Sequence, residues 1–164
     1  MAVDFFFYGT LRDAEVRQIV FGPDDSAGAA EPATLEGYRC APVERGRFPA
    51  AVARPGAVTP GVLVRGVSLD AAARVSFFED DGSLYSVALK PLGVADARSA
   101  AAWVCIAGAA LPVEAGTWRF DAWQRHWKPG FLTAAAAAMA AAAPADLRRY
   151  RRVWLGRLSR APEA

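Results

Sequence analysis

Apolar residues run from Val3 without a break, Asp4 aside, to Phe7, and the run stops at Tyr8-Gly9-Thr10, as expected of a short buried strand that ends in a turn. Val16, Ile19 and Val20 then fall at helical spacing, so Arg12 to Phe21 reads as a short amphipathic helix closed by Gly22-Pro23. Gly22 to Ala33 reads as a connector rich in Gly, Pro, Asp and Ala. Strands are expected at Leu35 to Val43, Phe48 to Ala53 and Val62 to Val67. Arg45-Gly46-Arg47 turns between the first two, and Pro49 keeps the second near a sheet edge.

At Leu69 the period changes to that of a helix reaching Phe78, capped by Ser68 or Asp70, with Val75 and Phe78 turned inward. Asp80-Asp81-Gly82-Ser83 is a turn, Leu84 to Leu89 resumes an extended run, and Ala100 to Ala107 is the last strand. The remainder is helical. Trp123 and Trp127 lie four apart, Lys128-Pro129-Gly130 is expected to interrupt, and an Ala-rich packed helix continues to Pro144. Leu147, Tyr150, Trp154 and Leu158 make a further helical stripe facing the core, with arginines mostly between them. Strands and helices do not alternate regularly, which points to an α+β protein with a curled mixed or antiparallel sheet rather than a doubly wound one.

Composition narrows the chemistry. With 164 residues and 22% charged side chains, the chain is expected to form one globular domain, residues 1–164, with a strand-rich part to about 110 and helices over about 117–160. Alanine alone supplies 37 residues, so Trp, Phe and Tyr must provide much of the large apolar volume. Cys40 and Cys105 have no partners at metal-ligand spacing and read as buried small hydrophobes in a reducing, cytoplasmic setting. The single histidine, His126, excludes sites that need two imidazoles and reads as a helix-surface residue. No export signal is visible, and the longest apolar stretch, 131–143, is shorter than the roughly 20 residues that span a bilayer. A soluble protein without a membrane partner is expected.

The net charge of +2 is local. Six arginines (148, 149, 151, 152, 157 and 160) lie in the last seventeen residues; without them and Glu163 the chain carries 13 basic and 16 acidic residues. The tail reads as a solvated helix face, with a phosphate-tracking surface for nucleic acid as the sharper, disfavoured alternative.

Two segments are candidates for chemistry. In Tyr8-Gly9-Thr10-Leu11 a glycine permits unusual backbone angles and successive amides can line an anion-binding concavity, or the segment is simply a strand end. In Phe77-Phe78-Glu79-Asp80-Asp81 an acid follows an aromatic pair, so desolvation and like-charge repulsion would lift its pKa toward that of a general base; the bland reading is a solvated acidic turn.

Together with Leu35-Glu36-Gly37-Tyr38, Phe48-Pro49-Ala50, Pro60 to Val64, Leu69-Asp70 and Tyr85 six residues after Glu79, these segments resemble, in order and spacing, the gamma-glutamylcyclotransferase-like family. Residues 116–123 further resemble its avirulence-induced-gene-like branch. The resemblance implies a small twisted β-barrel flanked by helices, with Tyr8, Gly9, Thr10 and Leu11 in a substrate loop, Tyr85 lining the pocket and Glu79 as catalytic acid/base. It also implies cyclisation of a gamma-glutamyl amine or related small amide to 5-oxoproline, a carbon–nitrogen lyase or acyltransferase type of reaction, without metal or organic cofactor. Val87 stands where many members carry Arg, and Phe48 where Tyr commonly precedes the Pro. The rival reading is a metabolite-binding or regulatory protein that keeps the barrel without catalysis.

Overall fold

The computed structural model describes residues 1–23, 27–95 and 99–160. Its centre is a closed barrel of five strands in the order β1-β3-β2-β4-β5, with β3 also pairing β5. The strands are β1 (Ala2–Phe7), β2 (Ala30–Val43), β3 (Phe48–Ser68), β4 (Tyr85–Val94) and β5 (Ser99–Ala107). Among the described residues five α-helices flank it: α1 (Ala14–Phe21), α2 (Leu69–Phe78), α3 (Phe120–His126), α4 (Lys128–Ala140) and α5 (Pro144–Leu158). The expected α+β class and mixed barrel are therefore present.

Most seams are antiparallel. β2 and β3 form a long hairpin with a register shift between Glu36 and Tyr38, where Gly37 takes φ +77°, a left-handed angle that glycine adopts without a steric penalty. The barrel closes on short parallel seams, Phe5 opposite Trp103 and Ala51 opposite Ile106. Trp154 of α5 covers the first of these, meeting Phe5 and Trp103 edge-on with ring centroids 5.3 Å apart in both cases. Its indole N–H reaches the Ala72 carbonyl and Ser76 Oγ on α2. Trp154 and Tyr150 are buried, as the stripe predicts, while Leu147 and Leu158 are only partly so.

Several expected boundaries move. The strands expected at 48–53 and 62–67 are one strand, β3, because β2 keeps pairing across the bulge and Pro60 sits opposite Thr34. The connector expected to reach Ala33 gives way to strand at Ala30; its residues 24–26 lie outside the described residues. The first helix is broken in two: a 3-10 turn, Thr10–Arg12, precedes α1, and the buried Asp13 caps α1 by accepting the Glu15 and Val16 amides at 3.0 and 3.3 Å. Lys128-Pro129-Gly130 does not interrupt a helix but begins one, since proline in a first turn has no amide to lose. The break falls one residue earlier, at Trp127. Ser68 caps α2 as expected, its Oγ accepting the Ala71 amide at 3.1 Å.

Candidate active site

β1 delivers Tyr8 to the end of the barrel, and the chain turns there through the 3-10 helix. The amides of Gly9, Thr10 and Leu11 find no hydrogen-bond acceptor among the described residues, as expected for the first groups of a helical turn. Gly9 is not required for a left-handed angle, because its φ is −111°. Close approach requires it: a Cβ here would lie 2.7 Å from Pro49 Cγ. The expected glycine is present for a different reason, and Pro49 supplies it from a segment about forty residues away.

The two tyrosines are braces. Tyr8 Oη donates to the Cys105 carbonyl at 2.5 Å and accepts the Ala51 amide at 2.9 Å, tying β1 to β5 and β3. Tyr85 Oη donates to the Pro49 carbonyl at 2.8 Å. Both rings are buried and both phenol pKa values are raised, chiefly by burial and further by the charge of Glu79. Each hydroxyl proton is thus already committed to a carbonyl, which leaves ring faces and backbone as what these residues offer a ligand.

Glu79 terminates α2, its amide bonded to the Val75 carbonyl at 2.9 Å. Glu79 lines a cavity of about 410 Å³ and is partly exposed. No described residue hydrogen-bonds the carboxyl, and burial raises its pKa from 4.5 to about 7. The expected repulsion from Asp80 and Asp81 does not contribute, and the geometry explains why. Asp81 turns the other way into a fork-to-fork pair with Arg157 of α5 (2.6 and 3.0 Å) and accepts Ser76 Oγ at 3.0 Å, so its charge is neutralised. Asp80 is exposed. Desolvation alone tunes Glu79, while its acidic neighbours anchor the turn.

The cavity brings together Tyr8, Gly9, Thr10, Leu11, Glu79 and Tyr85, segments about seventy residues apart in the chain. It also contains residues that sequence patterns did not single out. Phe131, Ala134, Ala135 and Ala138 form one face of α4 and close a side of it. In an unbroken alanine tract no periodicity distinguishes this face, yet alanine is what leaves the space open. Glu44 and Arg47 stand on the loop between β2 and β3 as the other charged lining residues, 3.6 Å apart. That loop is held by two indoles, Trp118 Nε1 donating to the Gly46 carbonyl and Trp123 Nε1 to the Arg47 carbonyl, both at 2.9 Å. Phe48 lines the cavity and Val87 does not.

Cys105 borders the cavity and Cys40 does not; both are buried, and burial raises both thiols, Cys40 to about 12. Neither supplies a thiolate near neutral pH. His126 is exposed, as expected. No cluster of metal-ligating side chains occurs among the described residues, and no single described helix is long and apolar enough to cross a membrane.

The family model described as "Gamma-glutamyl cyclotransferase, AIG2-like" matches residues 5–120, about seven-tenths of the sequence. The chain belongs to that family. Among solved structures, an Arabidopsis thaliana protein determined in solution is similar at TM-score 0.60 and 22% identity, covering 80% of this chain and 87% of that one. A protein named gamma-glutamyl cyclotransferase matches at TM-score 0.57 and 12% identity over 70% and 69% of the two chains. A Mus musculus AIG2-like protein matches at 0.55 and 19%, over 69% and 86%. At such identities these structures establish the fold alone. No curated protein matches in sequence. Family and fold support a cyclotransferase-type function acting on a small molecule, and the family match encloses both the Tyr8–Leu11 turn and Glu79.

Proposed function

We propose that this AIG2-like protein is a gamma-glutamyl cyclotransferase that closes a gamma-glutamyl amine, or a related small amide, to 5-oxoproline and releases the amine. The observation that carries the reading is Glu79: a carboxyl with a pKa near 7, in the same cavity as the Gly9, Thr10 and Leu11 amides, with neither the carboxyl nor these amides hydrogen-bonded among the described residues.

The reaction asks little of a protein. In a gamma-glutamyl amide the α-nitrogen can reach the side-chain carbonyl carbon through a five-membered ring, so holding the bent conformer removes much of the barrier. Glu79 takes a proton from the α-ammonium, and the freed nitrogen lone pair attacks the carbonyl carbon. The C–N bond of the ring forms while the carbonyl π pair moves onto oxygen. Collapse of that oxyanion breaks the other C–N bond as Glu79 gives its proton to the departing nitrogen, and the second proton of the ring nitrogen follows through the regenerated carboxylate, so that the lactam is neutral and the amine leaves as an ammonium ion. One carboxyl serves both steps, and its pKa near neutrality suits both. Amides of the 9–11 turn supply donors for a substrate oxyanion, the Tyr8 and Tyr85 rings shape the pocket, and Arg47 at the mouth provides a cation for a substrate carboxylate.

The test is incubation with a panel of gamma-glutamyl amines and detection of 5-oxoproline. Activity on at least one is expected, with kcat/KM rising as pH rises through about 7 because Glu79 must be ionised to accept the proton. Glu79→Gln should lose about 10²-fold or more while remaining folded. Full turnover by that variant would remove Glu79 from the mechanism; saturable metabolite binding without product would place the chain among non-catalytic binders.

A further inference from the structure

On the other side of the Tyr8–Arg12 segment lies a second cavity, of about 620 Å³, that the proposed cyclisation does not use. Tyr8 borders both spaces, but Arg12 lines this one and not the first. Arg12 is anomalous. Its Nε is the single buried side-chain nitrogen or oxygen among the described residues that lacks a hydrogen-bond partner, a condition native proteins seldom leave unexplained. The guanidinium lies 4.4 Å from the Phe120 ring centroid, a contact that engages the cation without using its N–H groups. Burial also lowers its pKa, the sign of a cation short of compensating charge.

The surroundings share that sign. Arg39, Arg54 and Arg119 line the same cavity, against a single acid, Asp121. Asp121 is already taken up by Arg119 at 2.8 Å and Arg125 at 3.1 Å. Arg39 spends one terminal nitrogen on the carbonyls of Glu114 and Gly116. Arg54 is exposed, with no ion pair among the described residues.

We propose that this cavity is a binding site for a small oxyanion-bearing ligand, a carboxylate or a phosphate ester, whose oxygens take the unused N–H groups of Arg12, with Arg54 and Arg39 completing the cradle. Guanidinium forks match the planar or tetrahedral oxygen pairs of such groups. At about 620 Å³ the cavity has room for a small molecule. The site stands independently of the chemistry at Glu79.

Calorimetric titration of the full chain with inorganic phosphate and with succinate, at ionic strength held constant with sodium chloride, tests it. Saturable one-site binding of at least one anion is expected, and whichever binds more tightly identifies phosphate or carboxylate as the preferred group. Arg12→Met keeps an apolar stem over Phe120 and should weaken binding about tenfold or more. The exposed Arg54→Ala should also weaken it and cannot be attributed to misfolding. Glu79→Gln and the distant Arg148→Ala should bind as the natural sequence does. In anion-free buffer Arg12→Met should melt no lower than the natural chain, because a partly buried cation without an ion pair has been removed, and the anion-induced rise in Tm should vanish. Heats no larger than those of chloride for both anions, or natural affinity in both the Arg12 and Arg54 variants, would overturn the assignment.

Discussion

Replacing Glu79 by Gln removes a carboxyl that resists ionisation only because the fold surrounds it. In the unfolded chain the group titrates near its ordinary 4.5, whereas the folded chain holds the proton until about 7. Between those values the native state binds more protons than the unfolded state, so stability falls as pH rises through this window and levels off above it. At 1.36 kcal/mol per pH unit, the full difference is about 3 kcal/mol. Most of it is incurred between about pH 5 and pH 9, where the natural chain should lose about 2.5 kcal/mol relative to Glu79→Gln; water in the cavity, screening the carboxylate, makes this an upper figure. Gln has nearly the same shape and no proton to lose, so the difference between the two proteins isolates this single ionisation. Of the ionisable groups around the carboxyl, Tyr8, Tyr85 and Cys105 are held neutral throughout that range by their own raised pKa values. Paired urea melts at half-unit pH steps measure it, and the difference should grow from about pH 4.5 and level off above about 7. For a chain of this size the change corresponds to roughly 5–10 °C in Tm. A stability difference that stays flat across the range would show that Glu79 is solvated and ordinary, and with it the proton shuttle would lose its physical basis.

Three other substitutions probe the frame around the cavity. Arg157→Met leaves Asp81, whose side chain is 2% exposed, as an unpaired buried carboxylate, and should cost about 3–5 kcal/mol in chemical denaturation; the partner change Asp81→Asn combined with it should recover part of the loss. Tyr8→Phe strands the Ala51 amide and the Cys105 carbonyl, so a loss of about 1–3 kcal/mol is expected, and a neutral effect would deny the hydroxyl its bracing role. Gly9→Ala drives a Cβ against the Pro49 ring at 2.7 Å and should cost about 1–3 kcal/mol, with Pro49→Ala relieving it, a recovery that thermal melts of the double variant would reveal.

The arginine-rich C-terminus looks different in three dimensions from its composition. Arg157 is spent on Asp81 and Arg151 on Asp70 at 2.8 Å, both ties between α5 and the α2 segment that carries Glu79. Arg149 lies over the Tyr150 ring. Two of the six arginines therefore fasten α5 to the α2 segment, which accords with the core-facing stripe of Tyr150 and Trp154.

What the amino-acid order determines by itself is local. The apolar run before Tyr8, the Ser68 cap, the Asp-Gly turn after Glu79 and the i, i+4 placement of Tyr150 and Trp154 each follow from interactions within a few residues, and all appear where the pattern puts them. Even the acid at the end of α2 is legible, because helix length and cap set where the chain emerges. Only the tertiary structure decided what surrounds that acid. Its pKa depends on how much water the assembled walls exclude, and those walls come from β1, the 44–49 loop, β5 and an alanine helix with no internal pattern to betray its inner face. The need for glycine at position 9 belongs to Pro49, the neutrality of Asp81 to Arg157, and the unpaired state of Arg12 to Phe120 and the cavity beside it. Each of these is a contact across tens of residues, and periodicity carries no information about which distant side chain arrives, because desolvation and steric fit are properties of the packed ensemble of neighbours rather than of any one stretch of chain.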